Sequence, residues 1–257
     1  MNSCITNRRQ SHGARARITR ALFAAALVLP ASVFALEPVN LGSTASFAIV
    51  GAAAITNTPH SVITGNIGLS PAAGANITGF GPTEVQGNIY TVDASYPIAN
   101  VAVINPAGLT QVKGDLTNAY NDAAGRMPVP TGNYLNPGAG NLGGLRLGPG
   151  IYKFTGAAVL SGSNLTLSGS ANDVWIFQIG TALTVANYMR VNLTGGARAA
   201  NVFWQVGSSA TLGMGSVMQG TIMANQSISM VSGATLNGRA LARVAAITLH
   251  ANTVTRP

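Results

Sequence analysis

"TLGMGSVMQGTIMA" (residues 211–224) and "SMVSGATLNGRALA" (residues 229–242) nearly coincide when one is slid over the other by 18 places. Thr211 falls on Ser229, Leu212 on Met230, Gly215 on Gly233, Met218 on Leu236, Gly220 on Gly238 and Ala224 on Ala242. The period carries on imperfectly: Ile228-Ser229-Met230 returns as Ile247-Thr248-Leu249, 19 places on. Upstream, "LTLSG" (165–169), "ALTVA" (182–186), "ATLGM" (210–214) and "AITNT" (54–58) keep the same alternation. "ITGNIG" (63–68) and "VQGNIY" (85–90) echo "MQGTIM" (218–223) and "LNGRAL" (236–241), and "DVWIFQIG" (173–180) pairs with "NVFWQVGSSATL" (201–212). Short alternating segments punctuated by Gly, Ser and Asn read as strands and turns. A repeat of this length is the signature of a solenoid. The predicted fold is mainly β: three short strands per triangular coil, with coils stacked at the strand spacing of about 4.7–4.9 Å.

That reading assigns columns. Leu183, Leu212, Met230 and Leu249 form one inward column, Met218 and Leu236 a second, Ile222 and Ala240 a third. Glycine at the recurring corner (Gly65, Gly87, Gly220, Gly238) permits backbone angles that other residues avoid. Only 8% of the 257 residues are charged, far below the quarter or so of an ordinary soluble domain. Stacked coils account for this, because like charges in a ladder repel.

The formal charge of +8 is unevenly placed. Arg8, Arg9, Arg15, Arg17 and Arg20 precede the apolar "ALFAAALVLPASVFA" (21–35). A basic leader, a short apolar run and small residues before Ala35 read as a secretory signal peptide over 1–35, and the run is too short for a membrane span. Cleavage after Ala35 leaves a single domain, 36–257, with nine basic and six acidic side chains, about +3. No basic patch then argues for nucleic acid. The one cysteine, Cys4, goes with the leader, so stability rests on packing and backbone hydrogen bonds rather than disulfides. The expected location is extracellular or periplasmic.

One segment breaks the period. In "NPAGLTQVKGDLTNAYNDAAGR" (105–126), Leu109, Val112, Leu116, Ala119, Tyr120 and Ala123 recur at helical spacing. Asn105 suits the N-cap, Pro106 the first helical position and Gly125 the stop. Such a helix spans roughly 30 Å, about six coils, so its apolar stripe is expected along one face of the solenoid. The flanks 69–104 and 127–150 read as connections or a cap.

Enzymatic readings find little support. The carboxylates Glu37, Glu84, Asp93, Asp115, Asp122 and Asp173 are scattered, whereas a glycan-cleaving β-helix needs a cluster. Asp115 and Asp122 read as the solvated side of the helix. No metalloprotease, nucleophile-elbow or calcium-loop pattern occurs, so neither metal nor cofactor is expected. "GAGNLG" (138–143) neither follows a clear strand nor opens a helix and reads as a Gly-rich turn.

With Leu212, Met230 and Leu249 inward, alternation turns Ser209, Thr211 and Gly213 outward. The matching triplets are Ser227, Ser229, Val231; Ala246, Thr248, His250; Ala182, Thr184, Ala186; and Ala54, Thr56, Thr58. One face is therefore small, uncharged and rich in Thr, Ser and Ala. Thr is a good strand former in any sheet; a flat lattice of methyls and hydroxyls is also suited to bind another lattice.

At this point the chain resembles a known family. "NLGSTASFAIVGAAAITNTPHSVITGNIGLSP", "DLTNAYNDAAGR", "LGPGIYKF", "DVWIFQIGTALT", "NVFWQVGSSATLG" and "LNGRALARVAAITL" look like the microbial ice-binding (antifreeze) proteins, in order, over 39–256. The resemblance implies a discontinuous, right-handed, three-faced β-solenoid with a long helix packed alongside, and one face that adsorbs to ice. It implies a secreted, non-enzymatic protein without cofactor, expected to be monomeric, that limits ice growth and recrystallisation. Carried over, the ice-facing residues are Thr56, Thr184, Thr211, Ser229 and Thr248, with Ala54, Ala182, Ser209, Ser227 and Ala246 beside them. Thr58, Gly213, Val231 and His250 make a second row in which Val231 and His250 interrupt the hydroxyls. The alternative is a secreted or cell-surface solenoid that binds carbohydrate or protein, which calls for an outward platform of aromatics such as Tyr152, Trp175, Tyr188 and Trp204.

Overall fold

A computed structural model describes Met1 and residues 36–257; apart from Met1, the predicted leader lies outside the described residues. From residue 36 the chain forms a solenoid of parallel strands with one long helix, Pro106–Gly125. Two strands, Val217–Ala224 and Thr235–Ala242, turn a corner. Their second halves join the helix-side sheet, and their first halves belong to a third side. The remaining side is an open sheet of seven strands.

The stack is continuous in space but not in sequence. The chain enters mid-stack: Phe47–Gly51 lies against Thr235–Ala242, with Ile49 opposite Ala240 and Val50 opposite Leu241. Coils then wind outward to Ala102–Ile104, and the helix carries the chain back along the side. The later coils wind inward from Gly150–Phe154 until the last strand, Thr253–Thr255, settles between Thr235–Ala242 and Val62–Thr64.

The helix-side strands "FAIVG", "WIFQI" and "VFWQV" are buried at every position. One face of that sheet lines the solenoid interior and the other meets the helix, so both must be apolar. Phe177, Trp204, Ile222, Ala240 and Ile49 follow one another inward in register. Ile176, Phe203, Met223, Leu241 and Val50 pack outward against the six predicted helix residues, Leu109 to Ala123, all of them buried. At one end the interior is aromatic. Tyr152 stacks on Phe177 at 5.4 Å and Phe177 on Trp204 at 4.0 Å, and the Trp204 indole donates to the Gln219 carbonyl at 2.8 Å.

The helix begins as its sequence implies: Gly108 N–H donates to the Asn105 side chain at 2.9 Å, and Pro106 follows the cap. It ends at Gly125, but not through a left-handed glycine. Arg126 leaves the helical region with ψ 136°, and its guanidinium pairs with Asp122 at 2.6 Å. The acidic side of the helix is also more than solvated. Asp115 accepts from the Ser43 N–H at 2.8 Å and hydroxyl at 2.6 Å, tying the segment before the first strand to the helix. These bonds hold its carboxyl below the ordinary range.

Other expectations need correction. Leu183 stands opposite Ala210, and it is Val185 that stands opposite Leu212, so the first inward column contains Val185 in place of Leu183. The columns Met218–Leu236 and Ile222–Ala240 are as read. Of the corner glycines, only Gly65 (φ +130°) and Gly220 (φ +103°) take left-handed angles. Gly87 and Gly238 are needed for room: a Cβ would lie 2.5 Å from the Gly65 carbonyl oxygen and 1.8 Å from that of Gly220. Segment 69–104 is not merely a connection, since Ile77–Thr78, Val85–Gln86, Ile89–Thr91 and Ala102–Ile104 are solenoid strands. Segment 127–150 does cap the far end, through bridges of Leu135 to Lys153 and Asn141 to Val159. "GAGNLG" opens no helix beyond a short turn at Pro137–Gly140.

Lys113 crosses from helix to solenoid, where its ammonium donates to the carbonyls of Ala242 (3.0 Å) and Arg243 (2.6 Å). Burial in this seam, and then the neighbouring Arg243 charge, lower its pKa to about 8. The unfolded lysine titrates at its ordinary 10.5. Between the two values the unfolded chain binds more protons than the folded one, so this group's contribution to stability rises with pH. The melting temperature is expected to increase between about pH 8 and about pH 10.5, and Lys113→Met should remove that increase. A pH-independent difference between wild type and variant would exclude the effect.

Candidate functional site

The open sheet runs, in spatial order, through Ala158–Leu160, Leu183–Val185, Ala210–Leu212, Ile228–Met230, Ile247–His250, Ile55–Thr58 and Ile77–Thr78. Each strand alternates a buried with an exposed or half-buried position. Leu183, Ala210, Ile228, Ile247 and Ile55 point into the core with almost no exposure. That burial fixes which residues face out, because a slip of one residue would turn every apolar side chain to water.

The five predicted positions form one unbroken file. Thr184 stands opposite Thr211, Thr211 opposite Ser229, Ser229 opposite Thr248, and Thr248 opposite Thr56. The four threonines are exposed and Ser229 is half-buried. The file runs two places further than the sequence reading took it, to Val159 at one end and Thr78 at the other. Val159 carries no hydroxyl to mark it, and Thr78 lies in the segment read as a connection.

The flanking file, Ala182, Ser209, Ser227, Ala246 and Ala54, is held by a backbone ladder. The amides of Ala158, Leu183, Ala210, Ile228 and Ile247 donate to its carbonyls at 2.9–3.1 Å. All five side chains are half-buried. Ser209 and Ser227 share a hydroxyl–hydroxyl hydrogen bond at 2.9 Å, so these two serve each other as well as the surface. The second row is less regular than its sequence implied. Thr58 does stand opposite His250, but Gly213 is buried, and a Cβ there would lie 2.7 Å from Asn187 and from the Val185 carbonyl. The coil edge at Gly213 therefore has no room for an outward side chain.

Neither the central file nor its flank contains an ionisable side chain. Acidic groups elsewhere are engaged locally: Asp93 by Ser95 and the Gly74 amide, which lower its pKa, and Asp173 by the Ser170 amide at 2.7 Å. Among the described residues, no group of three or more His, Cys, Asp or Glu converges. Tyr152, Trp175 and Trp204 are core residues, and Tyr188 alone of the four named aromatics is exposed, so they form no outward platform. What remains is a neutral array of methyls and hydroxyls held in register from strand to strand.

Comparisons with known proteins agree with this architecture. The family model described as ice-binding-like matches residues 49–255. The chain is 42% identical over 222 residues to an ice-binding protein of Flavobacterium frigoris, covering 86% of this chain and 78% of that one. It is 40% identical over 230 residues to one of a Colwellia species, covering 90% and 87%. Among solved structures, a glycosylated ice-binding protein from an Arctic yeast superposes with a TM-score of 0.78 at 35% identity, covering 86% of this chain and 94% of that one. An ice-binding domain from Shewanella frigidimarina gives 0.77 at 32% identity, covering 86% and 98%. By the match of its sequence along nearly the whole solenoid, and by the shape of that solenoid, this chain belongs to the ice-binding-like family.

Proposed function

We propose that the chain adsorbs to ice through the open sheet, with Thr184, Thr211, Ser229, Thr248 and Thr56 at the centre of the contact and Ala182, Ser209, Ser227, Ala246 and Ala54 beside them. The observation that carries this is the unbroken, uncharged file held in register by strand pairing. Waters bonded to the hydroxyls and caged around the methyls merge with the ice surface. Each contact is weak, but the array is already ordered, so little conformational entropy is lost on adsorption. Ice advancing between bound molecules must curve, and its local freezing point falls. The protein acts as a monomer outside the cytoplasm, exported by its leader, with no catalytic step.

Dilute mature chain, residues 36–257, should facet a single ice crystal held just below its melting point and slow the coarsening of polycrystalline ice. Round crystals that grow freely at every concentration would overturn the proposal.

A further inference from the structure

Two windings of the chain meet in the middle of the open sheet. The late strands Ala210–Leu212, Ile228–Met230 and Ile247–His250 follow one another along the chain, coil by coil, as do the early strands Ile55–Thr58 and Ile77–Thr78. Between Ile247–His250 and Ile55–Thr58 that continuity is missing. Asn252 and Ser61, which touch across this seam, are 191 residues apart in sequence. Thr248 and Thr56 lie on its two sides. Burial excludes a slip of one residue here, since it would turn Ile55 outward. Burial does not exclude a slip of two. That slip would set Ile55 opposite Leu249, apolar on apolar, and Thr56 opposite His250, which breaks the file.

A buried polar network crosses the seam beneath the sheet. In four of the strands the second inward position is apolar: Val185, Leu212, Met230 and Leu249, all buried. In Ile55–Thr58 it is Asn57, opposite Leu249 and 4% exposed. Its amide donates to the Gly79 carbonyl at 2.9 Å and to the Glu84 carboxylate at 3.2 Å, and its side-chain oxygen accepts from the Ser61 hydroxyl at 2.6 Å. The Ser61 oxygen accepts in turn from the Asn252 N–H at 2.9 Å, across the seam. The Asn252 side chain donates to the carbonyls of Val231 (2.8 Å) and Ala234 (3.1 Å) and accepts from the His250 amide. Glu84 also accepts from the amides of His60 and Gly81. Asn57, Ser61 and Asn252 are all buried, so their bonds are made away from water, where an unmade one is costly. The bonds run through four successive coils at the corner where the open sheet ends.

We propose that Asn57 and Ser61 are positioning residues for adsorption: with Asn252 they fix the register at which the two windings meet, and so hold Thr56 in line with Thr248. This rests on the open-sheet reading above. Apolar contacts accept either register, whereas the Ser61–Asn252 bond exists in only one. A slip of two residues carries Ser61 away from the Asn252 amide and leaves buried polar groups unpaired. A polar residue set in an otherwise apolar column selects one register at some cost in stability. Within the late winding the fixed length of each coil limits such slips; at the seam the side chains must do it.

Two variants of the mature chain test this. Asn57→Leu gives the column the residue that Leu249 supplies in the next coil, and Ser61→Ala removes the bridging hydroxyl with little change in shape. Both are expected to fold and to melt cooperatively. The Ile247 and Ala251 amides donate across the seam to the Ala54 and Thr58 carbonyls, and their hydrogen exchange should quicken about tenfold. The Leu183 and Ala210 amides, away from the seam, should exchange as in wild type. The contacts of the file act together, so hysteresis at matched concentrations of folded protein should fall to about half or less. A network that only stabilised the coils would lower the melting temperature and leave that hysteresis intact, and this result in a folded variant overturns the proposal. Unchanged exchange at the seam overturns it as well. If Asn57→Leu does not fold, Ser61→Ala decides; failure of both to fold makes the network a requirement of folding, and the proposal falls. Full hysteresis in a folded Thr211→Tyr variant instead overturns the open-sheet reading beneath it.

Discussion

Thr211→Tyr is expected to remain folded and to lose most of its freezing hysteresis. Thr211 is exposed at the middle of the open sheet, with Thr184 on one side and Ser229 on the other. Tyrosine is as acceptable to a strand as threonine, and the neighbouring inward residues, Ala210 and Leu212, are untouched. The ring stands above a plane whose other members end in methyls and hydroxyls, so it holds the sheet away from ice at several positions at once. Each 1.4 kcal/mol of lost contact weakens adsorption about tenfold. Hysteresis measured against concentration, beside a circular-dichroism melt, decides the matter. A folded variant with full hysteresis would mean the wrong side has been chosen.

Trp204→Ala addresses the scaffold instead. Its side chain is fully buried, stacked on Phe177 at 4.0 Å and hydrogen-bonded to the Gln219 carbonyl. Truncation opens a cavity between coils and strands that carbonyl without its donor. Removal of a buried aromatic of this size costs about 3–5 kcal/mol. For a chain this long that is a fall in melting temperature of roughly 6–20 °C. Urea unfolding should show a lower midpoint, while activity near 0 °C persists for as long as the chain is folded. A loss below about 1 kcal/mol would show that neighbouring coils collapse into the space.

Much of this was legible in the residues because a solenoid repeats its own environment. The 18-residue offset between Thr211 and Ser229 placed both in one file, and the 19-residue step to Thr248 extended it. The helix showed itself by the spacing of Leu109, Val112 and Leu116 and by the Asn105 cap. Periodicity identifies a coil, however, and not its neighbours. Nothing local to Ile49 announces that it lies against Ala240, because that pairing is decided by where the helix delivers the chain. Matching Leu183 to Leu212 went astray for a related reason: apolar identity was aligned where the hydrogen-bond register, Thr184 on Thr211, decides. Gly238 and Gly213 are glycines because of atoms in adjoining coils, at distances the sequence does not encode.

The return helix also sets a limit on growth. Ordinary solenoids lengthen by copying a repeat, since each unit touches only the next. Here the helix must reach from beside Ala102–Ile104 back toward Gly150–Phe154, at the opposite tip. Strands lie about 4.8 Å apart and a helix advances about 1.5 Å per residue, so an extra rung asks for roughly three more helical residues. The helix covers most of that return, and residues 126–149 the rest, so a longer row of threonines is matched most directly by lengthening the helix with the stack.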